Sequence, residues 1–227
     1  MAFRGARRVQ RSAGAPGAAS RAFALAILLP LASACLPPRT ASRDPAREER
    51  LYQAAVLHQA CDGGEAASCT ALGLMYWKGD PVAKDAARAA ALFHRGCDGG
   101  HPQGCGQLGI LYFKGEGVER DAPRAALLFR MACDDGFSMG CTDLGVLHER
   151  GEGLAKDLAQ AVSLYDRGCN GGSAAGCFDL GLLYARGDGV GKDEARAASL
   201  FRMACNGGHA PACARARQTA GGPAGGK

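Results

Sequence analysis

The sequence predicts an all-α solenoid of stacked αα-hairpin repeats with a 36-residue period. Ten of its eleven cysteines fall into five C-x(7)-C pairs: Cys61 with Cys69, Cys97 with Cys105, Cys133 with Cys141, Cys169 with Cys177, and Cys205 with Cys213. Each pair starts 36 residues after the one before. The stretches after each second cysteine also recur, as TALGLMYWKG, GQLGILYFKG, TDLGVLHERG and FDLGLLYARG. So do the stretches that complete each unit, KDAARAAALFHRG, RDAPRAALLFRMA, KDLAQAVSLYDRG and KDEARAASLFRMA. A fixed period of this size marks supersecondary units that cannot bury an apolar face alone and must lean on their neighbours. Four complete units and a fifth, broken-off pair are present.

The chain opens on an export pattern. Residues 1–34 hold Arg4, Arg7, Arg8, Arg11 and Arg21, no acidic residue, and then the apolar run Ala22 to Leu31, which is too short for a membrane span and reads as a signal peptide. Small residues then precede Cys35, the cysteine outside the paired series, and this resembles a lipobox in which that cysteine carries the lipid anchor. Ordinary cleavage after Ala32-x-Ala34 fits the same residues. Either route exports the chain to an oxidising compartment, to the periplasm or outer membrane as a lipoprotein or to the outside as a secreted protein. Without residues 1–34 the 27 basic residues lose five, leaving 22 against 22 acidic ones, so a nucleic-acid partner has no electrostatic basis. Any membrane attachment is by the lipid alone.

Residues 35–46 form the lipidated cysteine and a Pro-containing polar linker, residues 47–217 the solenoid, and residues 218–227 a Gly-rich flexible tail. The first helix, from about Arg47 to Ala60, spaces Leu51, Ala54, Ala55 and Leu57 helically but has no cysteine partner upstream, so it caps the stack.

Within each unit the first cysteine closes one helix and the second lies in the next. Cys61, Cys97, Cys133, Cys169 and Cys205 are therefore expected at helix ends, and Cys69, Cys105, Cys141, Cys177 and Cys213 in the helices that follow. On one straight helix the two would stand about 12 Å apart, roughly twice the span of a disulfide. The D/N-G/D-G run between them supplies the reversal, because Gly reaches the left-handed conformation that ends a helix. Each bridge would close a nine-residue loop, worth about 2.5 kcal/mol in the chain-entropy model. Free buried thiols and metal ligands are the alternatives. Zinc sites favour closer C-x(2–4)-C pairs with histidine partners, and no histidine keeps step with these pairs.

Helix A follows, with Leu72, Gly73 and Tyr76; Leu108, Gly109 and Tyr112; Leu144, Gly145 and His148; Leu180, Gly181 and Tyr184. A mid-helix Gly costs about 0.5–1 kcal/mol relative to Ala, so its recurrence predicts a neighbouring helix too close for a methyl group. Helix A ends at Gly79, Gly115, Gly151 or Gly187 with Lys78, Lys114, Arg150 or Arg186 just before. After a short loop, Asp85, Asp121, Asp157 and Asp193 cap or open helix B, which sets Ala90, Ala126, Val162 and Ala198 beside Phe93, Phe129, Tyr165 and Phe201. Pro81 takes a loop-glycine position, and that loop is expected to differ.

The LG-x-LY, G-x-GV-x-x-D and small-residue patterns resemble Sel-type tetratricopeptide-like repeats, and the C-x(7)-C pairs resemble the bacterial cysteine-rich, Hcp-type subgroup of exported solenoids. The match covers about residues 47–217. It implies a right-handed superhelix of αα-hairpins with one bridge per repeat and an adaptor role in protein interaction. For some members it also implies penicillin binding and weak β-lactam hydrolysis. His148 at a Tyr position and the Pro81 loop depart from the pattern and put local packing in doubt.

No catalytic centre is visible. No serine is followed by lysine at the third position, and neither SDN nor KTG occurs, as a serine β-lactamase would need. His58, His94, His101, His148 and His209 are scattered, with no metal motif, and no nucleotide glycine motif appears, so neither metal nor cofactor is expected. In tetratricopeptide-like helices A, offsets −5, −2, +2, +5 and +6 from the signature Leu face a concave groove. That puts Thr70, Gly106, Thr142 and Phe178 in the groove, with Trp77, Phe113 and Glu149 and the basic column Lys78, Lys114, Arg150 and Arg186. Trp77, Lys78, Phe113, Lys114, Glu149, Arg150, Phe178 and Arg186 are the candidate ligand-binding residues. The expected ligand is a protein or peptide, a peptidoglycan fragment or a β-lactam. The aromatics would grip it while the bases meet its carboxylates. Filling of the hairpin by Trp77 and capping by the four bases are the structural alternatives.

Overall fold

The computed structural model describes residues 44–220. Ten α-helices run through them: α1 (Pro45–Asp62), α2 (Ala66–Lys78), α3 (Ala86–Asp98), α4 (Pro102–Lys114), α5 (Ala122–Asp134), α6 (Ser138–Arg150), α7 (Leu158–Asn170), α8 (Ala174–Arg186), α9 (Glu194–Asn206) and α10 (Ala210–Ala220). The expected signal segment and Cys35 lie outside the described residues. α1 starts two residues before the expected solenoid boundary, where Asp44 accepts the Ala46 N–H, and α10 runs three residues past the expected end. The helices pair as hairpins α2/α3, α4/α5, α6/α7 and α8/α9, each hairpin being one helix A and one helix B. Among the described residues α1 is a helix B without its A, and α10 an A without its B.

All five cysteine pairs are bridged within their own motif. Cys61 joins Cys69, Cys97 joins Cys105, Cys133 joins Cys141, Cys169 joins Cys177 and Cys205 joins Cys213, with Cα atoms 4.5–4.6 Å apart. The first cysteine of each pair lies in the last turn of α1, α3, α5, α7 or α9. Its partner, Cys69, Cys105, Cys141, Cys177 or Cys213, lies at the fourth residue of α2, α4, α6, α8 or α10. The reversal that allows this sits on the second turn glycine of each motif, Gly64, Gly100, Gly136, Gly172 and Gly208, with φ between 79° and 92°. The residue before it stays at negative φ, which is why Asp135 fits there in the third unit. Helices A end on left-handed Gly79, Gly115, Gly151 and Gly187, whose N–H groups return to the carbonyls of Met75, Leu111, Leu147 and Leu183. Each helix B opens on its expected N-cap. The Asp85, Asp121, Asp157 and Asp193 carboxylates accept the N–H three residues on, at 2.8–2.9 Å.

Within each hairpin the mid-helix glycine meets an aromatic ring. A Cβ on Gly73, Gly109, Gly145 or Gly181 would lie 2.7–2.8 Å from the Phe93, Phe129, Tyr165 or Phe201 ring, and those rings are 0–2 % exposed. Between hairpins the seam alternates. Thr70 and Thr142 are buried there against Gly96 and Gly168 and hydrogen-bond His101 (3.0 Å) and Ser173 (2.9 Å), so they do not face a groove as the family offsets suggested. In the even units Gly106 meets the Phe137 ring, and Phe178 meets His209 with centroids 4.6 Å apart; Ala132 and Ala204 replace the glycines.

Both departures from the repeat are accommodated locally. The Asp80–Pro81 peptide is cis, so that loop does differ. Arg88, Arg124 and Arg196 lie 4.5–5.1 Å from the Tyr76, Tyr112 and Tyr184 ring centroids; where His148 replaces Tyr, Gln160 replaces Arg. The loop geometry is unaffected, because the Asp157 N–H still donates to the His148 carbonyl at 2.9 Å.

Gly→Ala stabilises an unobstructed helix by about 0.5–1 kcal/mol. Gly109→Ala instead is expected to destabilise by about 1–3 kcal/mol through overpacking against Phe129. Gly191→Ala, with nothing near its added methyl, should shift the urea midpoint negligibly. Denaturation of both oxidised variants checks the contrast.

Candidate functional site

Successive helices A, α2 with α4, α4 with α6 and α6 with α8, pack against one another, so they line the inner side of the stack. Three positions near their carboxyl ends recur: Trp77, Phe113, Glu149 and Ala185 five residues after the signature Leu; Lys78, Lys114, Arg150 and Arg186 six after; and the loop acids Asp80, Glu116, Glu152 and Asp188 eight after. Because the disulfides hold one unit in register with the next, these sets meet across each junction.

At the first junction the half-buried Trp77 indole donates its N–H to Glu116 Oε2 at 2.9 Å. Lys114 Nζ stands 5.7 Å from the Trp77 ring centroid and 3.9 Å from Glu116 Oε1. At the second, the Arg120 guanidinium lies 5.7 Å from the half-buried Phe113 ring and pairs with Glu152 at 3.2 Å, which also holds Arg150 at 3.7 Å. At the third, Glu149 accepts the Tyr165 hydroxyl at 2.7 Å and pairs with Arg186 at 3.0 Å; Arg186 also reaches Asp188 at 2.7 Å. The result is a continuous aromatic and charged row along the inner edge. Exposed pairs of this kind are worth about 0–1 kcal/mol each, so an incoming carboxylate or ammonium can exchange with them at little cost.

Of the sequence-predicted residues, Trp77 and Lys114 are brought together, as are Glu149 and Arg186. Phe113 and Arg150 join the row through Arg120 and Glu152, and Lys78 stands exposed at the end of α2. Phe178 is half-buried among rings, 5.7 Å from Phe201 and 4.6 Å from His209.

Two residues were not singled out by sequence reasoning. Asp143 and Asp179 immediately precede the signature Leu of α6 and α8, and Asp143 Oδ2 is buried without a hydrogen-bond partner. Burial, and then the charge of Asp179, push the Asp143 carboxyl up to about 7 against the pull of Lys114. Burial and then Glu149 push Asp179 up to about 6, opposed by Arg150 and Arg186. Burial, followed by the hydrogen bond to Glu149, also raises the Tyr165 hydroxyl above its usual range. Mid-helix acids one residue before a buried Leu were the available signal; the turn and capping explanation does not cover them. Among the described residues no group of three or more His, Cys, Asp or Glu is placed to hold a metal ion.

The Sel1 repeat family model matches four consecutive units, residues 66–101, 102–137, 138–173 and 174–209. The chain belongs to the Sel1 repeat family. Its model boundaries fall on the turn between each helix B and the next helix A, so each matched Sel1 repeat begins at α2, α4, α6 or α8. With a bridge at every junction it is a cysteine-rich Sel1-type repeat protein.

Among solved structures the chain is similar to a protective antigen of uropathogenic Escherichia coli (29% identity, TM-score 0.66, 71% of this chain and 35% of that one). A Sel1 repeat protein from Oxalobacter formigenes is as similar (29%, 0.66, 76% and 74%). Helicobacter pylori cysteine rich protein B also matches (28%, 0.48, 60% and 98%). The chain thus spans about a third of the length of the Escherichia coli antigen. No curated protein matches. Sel1 repeat proteins are generally protein-interaction scaffolds, and five disulfides point to an oxidising, exported location. Among the described residues no helix is long and apolar enough to cross a membrane.

The half-buried acids Asp143 and Asp179 make stability depend on pH. Both are raised above the unfolded value of 3.8, so the folded state holds protons that the unfolded chain releases. Their contribution is fully present below about pH 4 and is lost as pH rises through about 6 to 7. Thermal melts are therefore expected to drop across that window, and Asp143→Asn to raise the melting temperature at pH 8 but not at pH 4.

Proposed function

We propose that this protein is an exported repeat scaffold that binds a peptide, an envelope protein or a cell-wall fragment along the inner row of helices A, without chemically changing it. In this reading residues 1–34 direct export, Cys35 carries a lipid anchor in the periplasm or outer membrane, and the residues between it and α1 tether the solenoid. The observation that supports it is the row itself. Trp77 and Phe113 offer half-exposed aromatic faces, and the charges beside them pair both within a unit, as Lys114 with Glu116 and Arg150 with Glu152, and across junctions, as Arg120 with Glu152 and Arg186 with Glu149. Such a surface gains from a ligand that offers both apolar area and charge. The β-lactam reading rests on family resemblance alone.

Trp77 packs into the core beside it, so its truncation would weaken the fold as well as the surface. Lys114 and Arg150, 48% and 61% exposed, can be changed with little effect on the melt. The oxidised chain from residue 36 onward is expected to retain an envelope partner on a column, and Lys114→Glu with Arg150→Glu to release it at an unchanged melting temperature. Equal retention by the double variant would remove the row as the binding surface.

A further inference from the structure

One position in the row differs from the rest. Between the end of each helix A and its own helix B lies a slot that the next helix A closes. Three times the chain fills this slot itself, with the residue five after the signature Leu. Trp77 packs on the cluster containing Ala89 and Phe93 and bonds Glu116. Phe113 packs on the cluster containing Ala125 and Phe129, with Arg120 over its ring. Glu149 takes up the Tyr165 hydroxyl and Arg186.

In the fourth hairpin that residue is Ala185, and Phe201 brings no hydroxyl. The closing helix is also reduced: α10 has Ala216 and Thr219 where α8 has Leu180 and Leu183, and it packs less closely on α8 than α8 does on α6. Among the described residues this leaves an open cavity of about 280 Å³, with Leu182 and Ala185 as apolar lining above the buried Ala197 and Phe201, and Arg215 and Thr219 on its α10 side. Its other charged groups are already engaged, Arg186 with Glu149 and Asp188 and Glu194 with Lys192. Arg215 forms no ion pair among the described residues.

We infer that this fourth slot is a socket for an aromatic residue at the carboxyl end of a partner chain, the ring resting on Leu182 and Ala185 and the terminal carboxylate meeting Arg215. The inference rests on the binding-scaffold reading and names one chemical feature of the partner. Two parts of it come from the filled slots. Their occupants are a Trp, a Phe and a Glu, which shows that the site geometry takes a planar ring or a carboxylate. At about 280 Å³ the cavity falls just below the range of about 300–1,000 Å³ found for ligand sites, which suits one residue and not an extended ligand. A guanidinium also presents a fork that matches a carboxylate.

The test uses the oxidised protein and four probes: acetyl-Gly-Gly-Trp with a free carboxylate, the same peptide as its amide, acetyl-Gly-Gly-Ala with a free carboxylate, and N-acetyltryptophan. Calorimetry or NMR titration is expected to show the free-acid tryptophan peptide binding at least about tenfold more tightly than its amide or the alanine peptide, one such factor per lost contact. It should bind at least as tightly as N-acetyltryptophan; tighter binding of N-acetyltryptophan than of the peptide would overturn a chain end as the source.

Ala185→Trp fills the slot from within, as Trp77 does in the first hairpin, and should abolish binding without lowering the melting temperature. Should that variant melt early, Arg215→Gln on the exposed face of α10 decides the matter: it should weaken the acid to the level of the amide and leave the amide unchanged. Saturable binding that survives both variants, equal binding of acid and amide, or no saturable binding at millimolar probe would each overturn the socket. Retention of an envelope partner is read separately with the Lys114 and Arg150 variants, so loss of the socket alone leaves the scaffold reading standing.

Discussion

Each disulfide pins the last turn of a helix B to the first turn of the next helix A, with Cα atoms 4.5–4.6 Å apart, and so fixes the register of every repeat against its neighbour. The row of inner-edge residues is a consequence of that register. Trp77 reaches Glu116, Arg120 reaches Glu152, and Glu149 reaches Arg186, each contact spanning close to one period of sequence. In a solenoid a unit touches only adjacent units, so no distant packing corrects a slipped junction. A closed nine-residue loop is worth only about 2.5 kcal/mol in the chain-entropy model, but it acts at the junction where the core is thinnest.

Packing then completes what the bridge starts. A ring from helix B lies on a glycine of helix A in every hairpin, and the helices can approach that closely only without a methyl group. Between hairpins the contacts alternate in kind. Thr70 and Thr142 require Gly96 and Gly168 opposite them, whereas Gly106 and Phe178 sit with Ala132 and Ala204, so the true structural repeat of the seam is two units long. The same seam buries Thr142 beside the half-buried Asp143, which places a proton-binding carboxylate next to the packed junction of the third and fourth repeats.

What could be read from the sequence was local chemistry at fixed spacing: the cysteine pairs, the cap glycines, the N-cap aspartates and the glycine in mid-helix. Those features are decided within a few residues of themselves. Charge was harder, because Glu116 and Glu152 look like ordinary turn acids until their loops are seen to lie beside Trp77 and Arg120 of the preceding unit. Thr70 and Thr142 were assigned to the groove by family offsets, although their alternation with Gly96 and Gly168 was visible in the chain and marked them as seam residues. The open slot at Ala185 depends on two distant facts together, a small residue in α8 and small residues in α10, and neither is informative alone.

Peptide mapping of the unreduced protein by mass spectrometry tests the register constraint most directly. The account predicts five linkages, joining Cys61 to Cys69, Cys97 to Cys105, Cys133 to Cys141, Cys169 to Cys177 and Cys205 to Cys213. Free thiols at these positions, or linkages that join different units, would contradict it.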